Sequence, residues 1–213
     1  MHEILGRRKP FLTAKRLLSN QTFRDIYNTE TLDADQRLKI TSLTFLFTDL
    51  KGSTQLYERV GDLVAFDLVR QHFHVLHEIV ASETGAIVKT IGDAVMATFP
   101  TPDRGLAAAL RMREAMLDIN KQRGSEDLLL KIGIHEGPCL AVNLNDRQDY
   151  FGQTVNMAAR VQGLASSRAI FVTKPVIEDT RSSQILELKG LKPTAQRAAL
   201  RGITDETVVY EFP

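Results

Sequence analysis

From Thr41 onward, apolar and polar positions alternate between short strand-like runs and longer amphipathic stretches. Leu43-Thr44-Phe45-Leu46-Phe47-Thr48-Asp49 reads as a buried strand that ends on a carboxylate. Ser53 to Val60 follows as a short helix, interrupted at Gly61. Asp62 then caps a longer helix in which Leu63, Phe66, Val69, Phe73, Leu76 and Val80 recur every three or four residues. Residues 86–99 read as two apolar strands that turn at Gly92-Asp93, with glycine first, as a tight hairpin prefers. An amphipathic helix from Pro102 to Gln122, a strand from Leu128 to Ile134, a helix from Gly152 to Ala165 and a strand from Ala169 to Thr173 come next. Thr207 to Phe212 closes the chain as a strand. The order β-α-β-β-α-β, followed by an α-β elaboration, predicts an α+β fold with a ferredoxin-like core, its helices on one face of an antiparallel sheet.

Residues 1 to 40 break this pattern. They carry Arg7, Arg8, Lys9, Lys15, Arg16 and Arg24 and few strand-like runs. Ala14 to Tyr27 has helical spacing, with Leu17, Leu18, Phe23 and Ile26 roughly on one face. Two readings stand: a poorly packed extension, or a docking or signal-transmitting segment for an upstream sensor or regulatory domain. The chain is thus expected to divide into an N-terminal extension, residues 1–40, and a single domain, residues 41–213.

Composition narrows the class. The chain is 43% hydrophobic and 25% charged, which suits an ordinary globular domain. A formal net charge of +1 gives no global field to attract nucleic acid or an acidic membrane. The lone cysteine, Cys139, excludes an intramolecular disulfide and fits a reducing, cytoplasmic setting. No apolar run is long enough to span a membrane.

The candidate chemistry lies at the strand ends. Asp93 sits at a hairpin tip and Asp49 at a strand end, where carboxylates are seldom needed for packing. Together they can cradle hard metal ions and a polyphosphate. Lys89 and Asp93 share strand parity but stand roughly 13 Å apart, so they fit one ligand only if it is as long as a nucleotide, or else serve different sites. Asn156 and Arg160 lie four apart on a helix and share a face with roughly 6 Å of rise. On a face otherwise made of Val155, Ala158 and Ala159, two such polar groups are costly unless they meet a ligand or partner.

The segments Phe45-Leu46-Phe47-Thr48-Asp49, Lys89-Thr90-Ile91-Gly92-Asp93, Gly133-Ile134-His135 and Asp149 through Arg160 resemble, in order and approximate spacing, the catalytic domain of class III nucleotidyl cyclases. The resemblance implies a head-to-tail dimer with active sites at its interface. One chain would supply the metal-binding Asp49 and Asp93 and the main-chain carbonyl of Leu50. The other would supply Lys89 and Asp149 to select adenine, Asn156 to orient the ribose and Arg160 to stabilise the transition state. Arg201 would meet the triphosphate, with Lys189 as a competing cation and Asp146 as a competitor to Asp149. Two ions per site, Mg²⁺ or Mn²⁺, would acidify the ribose 3′-hydroxyl and neutralise the leaving pyrophosphate. Lys89 and Asp93 of one chain then serve different sites. Because one chain holds every mapped group, a homodimer suffices for two complete sites.

The implied activity is adenylate cyclase, converting ATP to cyclic AMP and pyrophosphate. A cyclase of GTP or a pyrimidine nucleotide, or a catalytically silent nucleotide-binding signalling dimer, remains as an alternative. Ser53-Thr54 and Glu136 depart from the commoner family pattern without removing a mapped group. His72, His74 and His77 are read as surface histidines, because 72 and 74 face different sides of a helix. His135 is read as structural and Cys139 as a small residue at a strand end.

Overall fold

The computed structural model describes residues 12–26, 37–144, 147–165, 168–203 and 206–212. Two short helices, α1 (Ala14–Leu18) and α2 (Gln21–Ile26), precede the first strand, β1 (Arg37–Leu50). Helices α3 (Ser53–Val60) and α4 (Asp62–Ser82) lead to the hairpin of β2 (Ala86–Ile91) and β3 (Ala94–Phe99). Then come α5 (Pro102–Arg123), β4 (Leu130–Leu144), β5 (Arg147–Phe151), α6 (Gln153–Leu164) and β6 (Ile170–Thr173). The chain ends with α7 (Lys174–Ile177), α8 (Thr180–Leu188), β7 (Thr194–Ala198) and β8 (Thr207–Phe212). The sheet runs β2-β3-β1-β4-β6-β8-β7, with β5 paired to β4 off this path. The first four positions are the ferredoxin-like order. The β4/β6 pair is parallel, so the elaborated sheet is mixed rather than wholly antiparallel.

Both faces of this sheet are covered. On β1, Leu46 and Leu50 join the main core with α4, α5, α7 and α8. Leu43, Phe45 and Phe47 alternate to the other face and pack with Leu18 of α1 and Ala158 of α6. The one-face expectation therefore holds for α4 and α5, while α6 takes the opposite face. Glycine makes this possible. A Cβ on Gly133 of β4 would stand 2.1 Å from the Gln162 backbone nitrogen, and one on Gly137 would stand 2.8 Å from Thr154 Oγ1. The side-chain-free strip lets α6 lie directly on β4.

Several local expectations change. Ala14 to Tyr27 is two helices broken at Ser19-Asn20 rather than one, and Tyr27 lies outside the described residues. Leu18 is buried but Ile26 is exposed. The segment is docked on the sheet rather than loosely attached. In α4, Leu63 is 83% and Phe66 59% exposed, whereas Ala65, Leu68, His72 and Ile79 are buried. The first turns of α4 are apolar nearly all round, so spacing permits several faces, and packing against α5 selects one. His72 is thus a core residue beside Phe73, while His74 and His77 are exposed. Cys139 lies within β4 rather than at its end, and burial pushes its thiol up to about 12.

Two expectations follow. Gly133→Ala should cost at least about 3 kcal/mol in urea unfolding, because backbone rather than a mobile side chain must give way; a loss under about 1 kcal/mol would contradict the close approach. Burial also holds the imidazoles of His72 and His135 down at about 4, below the ordinary 6.5. Each is neutral when folded and takes up a proton on unfolding, so its contribution is full above pH 6.5 and is lost as pH falls toward 4. Stability should drop by about 2 kcal/mol per imidazole between pH 7 and pH 5, and His72→Leu should remove its share of that slope.

Candidate active site

The acidic centre forms where β1 ends beside the start of β3. Thr48 pairs with Val95, which puts Asp49 and the Gly92-Asp93 turn at one end of the strand pair. Gly92 has φ +62°, a conformation that favours glycine at this turn. Asp93 Oδ2 is buried and has no hydrogen-bond partner among the described residues. Asp49 Oδ2 forms an ion pair with Lys131 Nζ, its neighbour in the β1/β4 register. Sequence reasoning missed Lys131. Its signal was a lysine inside the apolar run Leu128 to Ile134, a position that calls for a partner. The Leu50 side chain is buried in the main core, so only its main chain could face a ligand.

This donor set suits a hard cation, because it offers two carboxylates and leaves one buried oxygen without a partner. Among the described residues, no three His, Cys, Asp or Glu side chains gather. A cation here would complete its shell with main-chain, water or substrate oxygens.

A second polar centre forms between β2 and β5. Lys89 Nζ donates to Asp149 Oδ2 at 2.5 Å. The Asp149 side chain is 12% exposed and that of Lys89 43%, so the pair has a dry side and a wet side. Asp149 Oδ1 also accepts from its neighbour, the Tyr150 backbone N–H, at 2.9 Å. β5 pairs with the end of β4 that lies beyond a shift in the β1/β4 register between Ile40 and Leu43. That irregularity bends the ribbon and brings β5 back to the sheet, where Tyr150 packs edge-on against Phe45 with ring centroids 5.5 Å apart. Asp146 lies outside the described residues.

The third group stands on α6. Asn156 is exposed and Arg160 half-buried on one helix face. Gly152, with φ +140°, makes the turn into the helix. The Arg160 guanidinium reaches the turn at Gly202: a Cβ there would lie 3.3 Å from its Nη2. Arg201, exposed on the same turn, is therefore a neighbour of Arg160. Lys189 instead pairs with Glu114 of α5 at 3.0 Å, on the α4/α5 side of the sheet. His135 Nδ1 meets Thr173 Oγ1 at 2.7 Å, a contact within the fold. Within one chain, neither Asp49 nor Asp93 bonds to Lys89, Asp149, Asn156 or Arg160.

Comparison with known proteins agrees with this architecture. The adenylate and guanylate cyclase catalytic domain family matches residues 36–200, and the chain belongs to that family. An adenylate cyclase of Mycosarcoma maydis is 31% identical over 191 residues, covering 80% of this chain and 7% of that protein. One from Anabaena cylindrica is 27% identical over 184 residues, covering 79% and 36%. Retinal guanylyl cyclase 1 of Homo sapiens also matches, at 29% over 163 residues. The chain spans less than half the length of these relatives. The crystal structure of the adenylyl cyclase CyaB from P. aeruginosa superimposes with a TM-score of 0.72 at 20% identity, covering 84% of this chain and 96% of that one; that likeness is one of fold. Residues 1–25 match a separate family of unknown function (DUF5939). No helix among the described residues is long and apolar enough to cross a membrane.

Proposed function

We propose that this cyclase domain acts on ATP, forming 3′,5′-cyclic AMP and pyrophosphate at the interface of a homodimer. The observation that carries the choice of base is the Lys89–Asp149 pair. Lys89 has N–H groups left to donate to a ring nitrogen, and Asp149 has lone pairs left to accept from an exocyclic amine. Adenine offers both partners. Guanine presents a carbonyl where adenine carries its amine, so Asp149 would repel it.

Asn156 orients the ribose. Arg160 donates to oxygens of the α-phosphate as charge develops there, and Arg201 binds the triphosphate from the adjacent turn. Asp49 and Asp93 would hold Mg²⁺ or Mn²⁺, which supplies acidity to the ribose hydroxyl and charge neutralisation to the leaving group. The separation of the acidic centre from the other groups within one chain supports the shared-site arrangement. A two-fold axis brings the acidic centre of one chain to the base-reading and arginine groups of the other.

Three expectations test this reading. With free Mn²⁺ near a hundred times its Kd, linkage adds about 2.7 kcal/mol and should raise Tm by roughly 5 to 10 °C. Asp93→Asn should lose most of that rise, and an undiminished rise would remove Asp93 from the metal site. The direct test is product analysis by mass spectrometry with Mn²⁺ and each of ATP, GTP, CTP and UTP. Cyclic AMP from ATP is expected, and another cyclic nucleotide would overturn the base assignment. Asp93→Ala and Arg160→Ala chains, each inactive, should regain turnover when mixed, about one site in each heterodimer; a dead mixture of intact dimers would refute the shared site.

A further inference from the structure

Lys89 and Asp149 stand on strands that share no ladder. Among the described residues, β2 is an outer strand of the sheet and pairs only with β3, and β5 pairs only with β4. Their side chains must nevertheless be held at a fixed separation to read a base. The ladders connect them only the long way round, through β3, β1 and β4. A direct tie comes from the N-terminal segment. Arg24 of α2 is 8% exposed, and its Nη2 donates to the carbonyl of Val88 at 3.2 Å and to that of Gln148 at 3.1 Å. These are the residues immediately before Lys89 and Asp149.

The Val88 carbonyl is available for a local reason. The β2/β3 register shifts between Ile87 and Lys89, and an irregularity of this kind leaves backbone groups out of the ladder. Gln21 takes another of them: its Oε1 accepts the Ile87 N–H at 2.7 Å, while its Nε2 donates to Asp25 at 2.7 Å. On the β5 side, Gln148 Nε2 donates to Tyr150 Oη at 2.8 Å, and the Tyr150 hydroxyl donates to the Leu18 carbonyl at 3.2 Å. The segment thus holds both edges through its own side chains and backbone. A guanidinium buried to this degree is expensive, and burial lowers its pKa against the opposing pull of Tyr150, Asp149 and Asp25. A leucine would fill such a place more cheaply, but it would leave two strand carbonyls unsatisfied.

We propose that Arg24, assisted by Gln21, is a positioning residue for base recognition: it clamps the bulge of β2 to β5 and so sets the separation and direction of Lys89 and Asp149. Gln21 and Arg24, which lie within the residues 1–25 that match a family of their own, thereby supply part of the cyclase's base-reading apparatus. Anything that displaces α1 and α2 thereby gains leverage on nucleotide selection. The inference rests on the base-reading role proposed above for Lys89 and Asp149.

The test uses the full chain with Arg24→Gln, Arg24→Lys and Gln21→Ala, and with Val176→Ala as a core variant remote from the nucleotide. For each, kcat and KM are measured with ATP and GTP, Kd is measured for a non-cyclisable ATP analogue, and Tm is recorded. Arg24→Gln should raise KM and Kd for the adenine nucleotides about tenfold, as expected when a charge-assisted tie is lost, and should narrow the ATP-over-GTP preference by a similar factor, with kcat within about twofold. Arg24→Lys, which retains charge but lacks the fork, should recover part of the affinity. Val176→Ala should lower Tm and leave the nucleotide constants alone. If the Arg24 and Gln21 variants lower Tm but keep wild-type KM, Kd and preference, as Val176→Ala does, the clamp is only structural and the proposal fails. Should Arg24→Gln not fold, Arg24→Lys and Gln21→Ala are judged by the same criteria. If the wild-type chain cyclises a nucleotide other than ATP, the adenine assignment falls, and the clamp is judged on that nucleotide's KM. If it cyclises none, the Kd of the analogue decides.

Discussion

The ribbon made by β1 and β4 loses register between Ile40 and Leu43, and the polar architecture of the domain depends on the bend that results. Beyond that point the paired strands no longer follow the sheet. They carry β5 back toward it, where Tyr150 finds Phe45 and Asp149 finds Lys89. The aromatic contact and the apolar cluster around it supply the energy that holds the bend. The ion pair, partly open to water, adds direction more than stability. A straight ribbon of the same composition would place the lysine and the aspartate far apart.

The second constraint is the approach of α6 to β4. Gly133 and Gly137 remove the side chains that would hold the helix off the sheet, and Thr154 donates its hydroxyl to the Pro138 carbonyl at 2.5 Å. Asn156 and Arg160 stand where they do because of this packing. The outcome is a chain with an acidic centre at the β1/β3 end and the Lys89–Asp149 pair and the arginine of α6 elsewhere. In the proposed reading a two-fold assembly would complete both sites by the same operation, without a second kind of subunit.

Edge strands also need management, and in the proposed reading it is tied to function. β2 would present unpaired backbone groups to solvent, as any sheet edge does. Part of its edge is instead covered by α2, whose Gln21 and Arg24 take up backbone groups of Ile87 and Val88. Protection of the edge and placement of Lys89 are therefore the same set of contacts. Arginine suits this work because one terminal nitrogen of its planar guanidinium carries two N–H donors at fixed angles, enough for two carbonyls, and the group keeps its charge.

Local pattern was enough to place most elements, since strand and helix periods and the Gly92 turn are properties of short stretches of chain. The strand ending at Asp49, the hairpin tip at Asp93 and the helical pairing of Asn156 with Arg160 were all legible for that reason. What the sequence could not convey was how non-adjacent pieces meet. The face of α4 was misread at Leu63, Phe66 and His72 because an apolar circumference has no preferred side until α5 packs against it. Lys131 was passed over because its partner, Asp49, is adjacent only across a ladder. The meeting of Lys89 with Asp149 depends on a bulge-driven bend, and the clasp of Arg24 on two strand edges depends on α2 docking over β2. Those are contacts between residues 60 and more apart in sequence, and only the tertiary fold, by burying them together, decides which pairs exist.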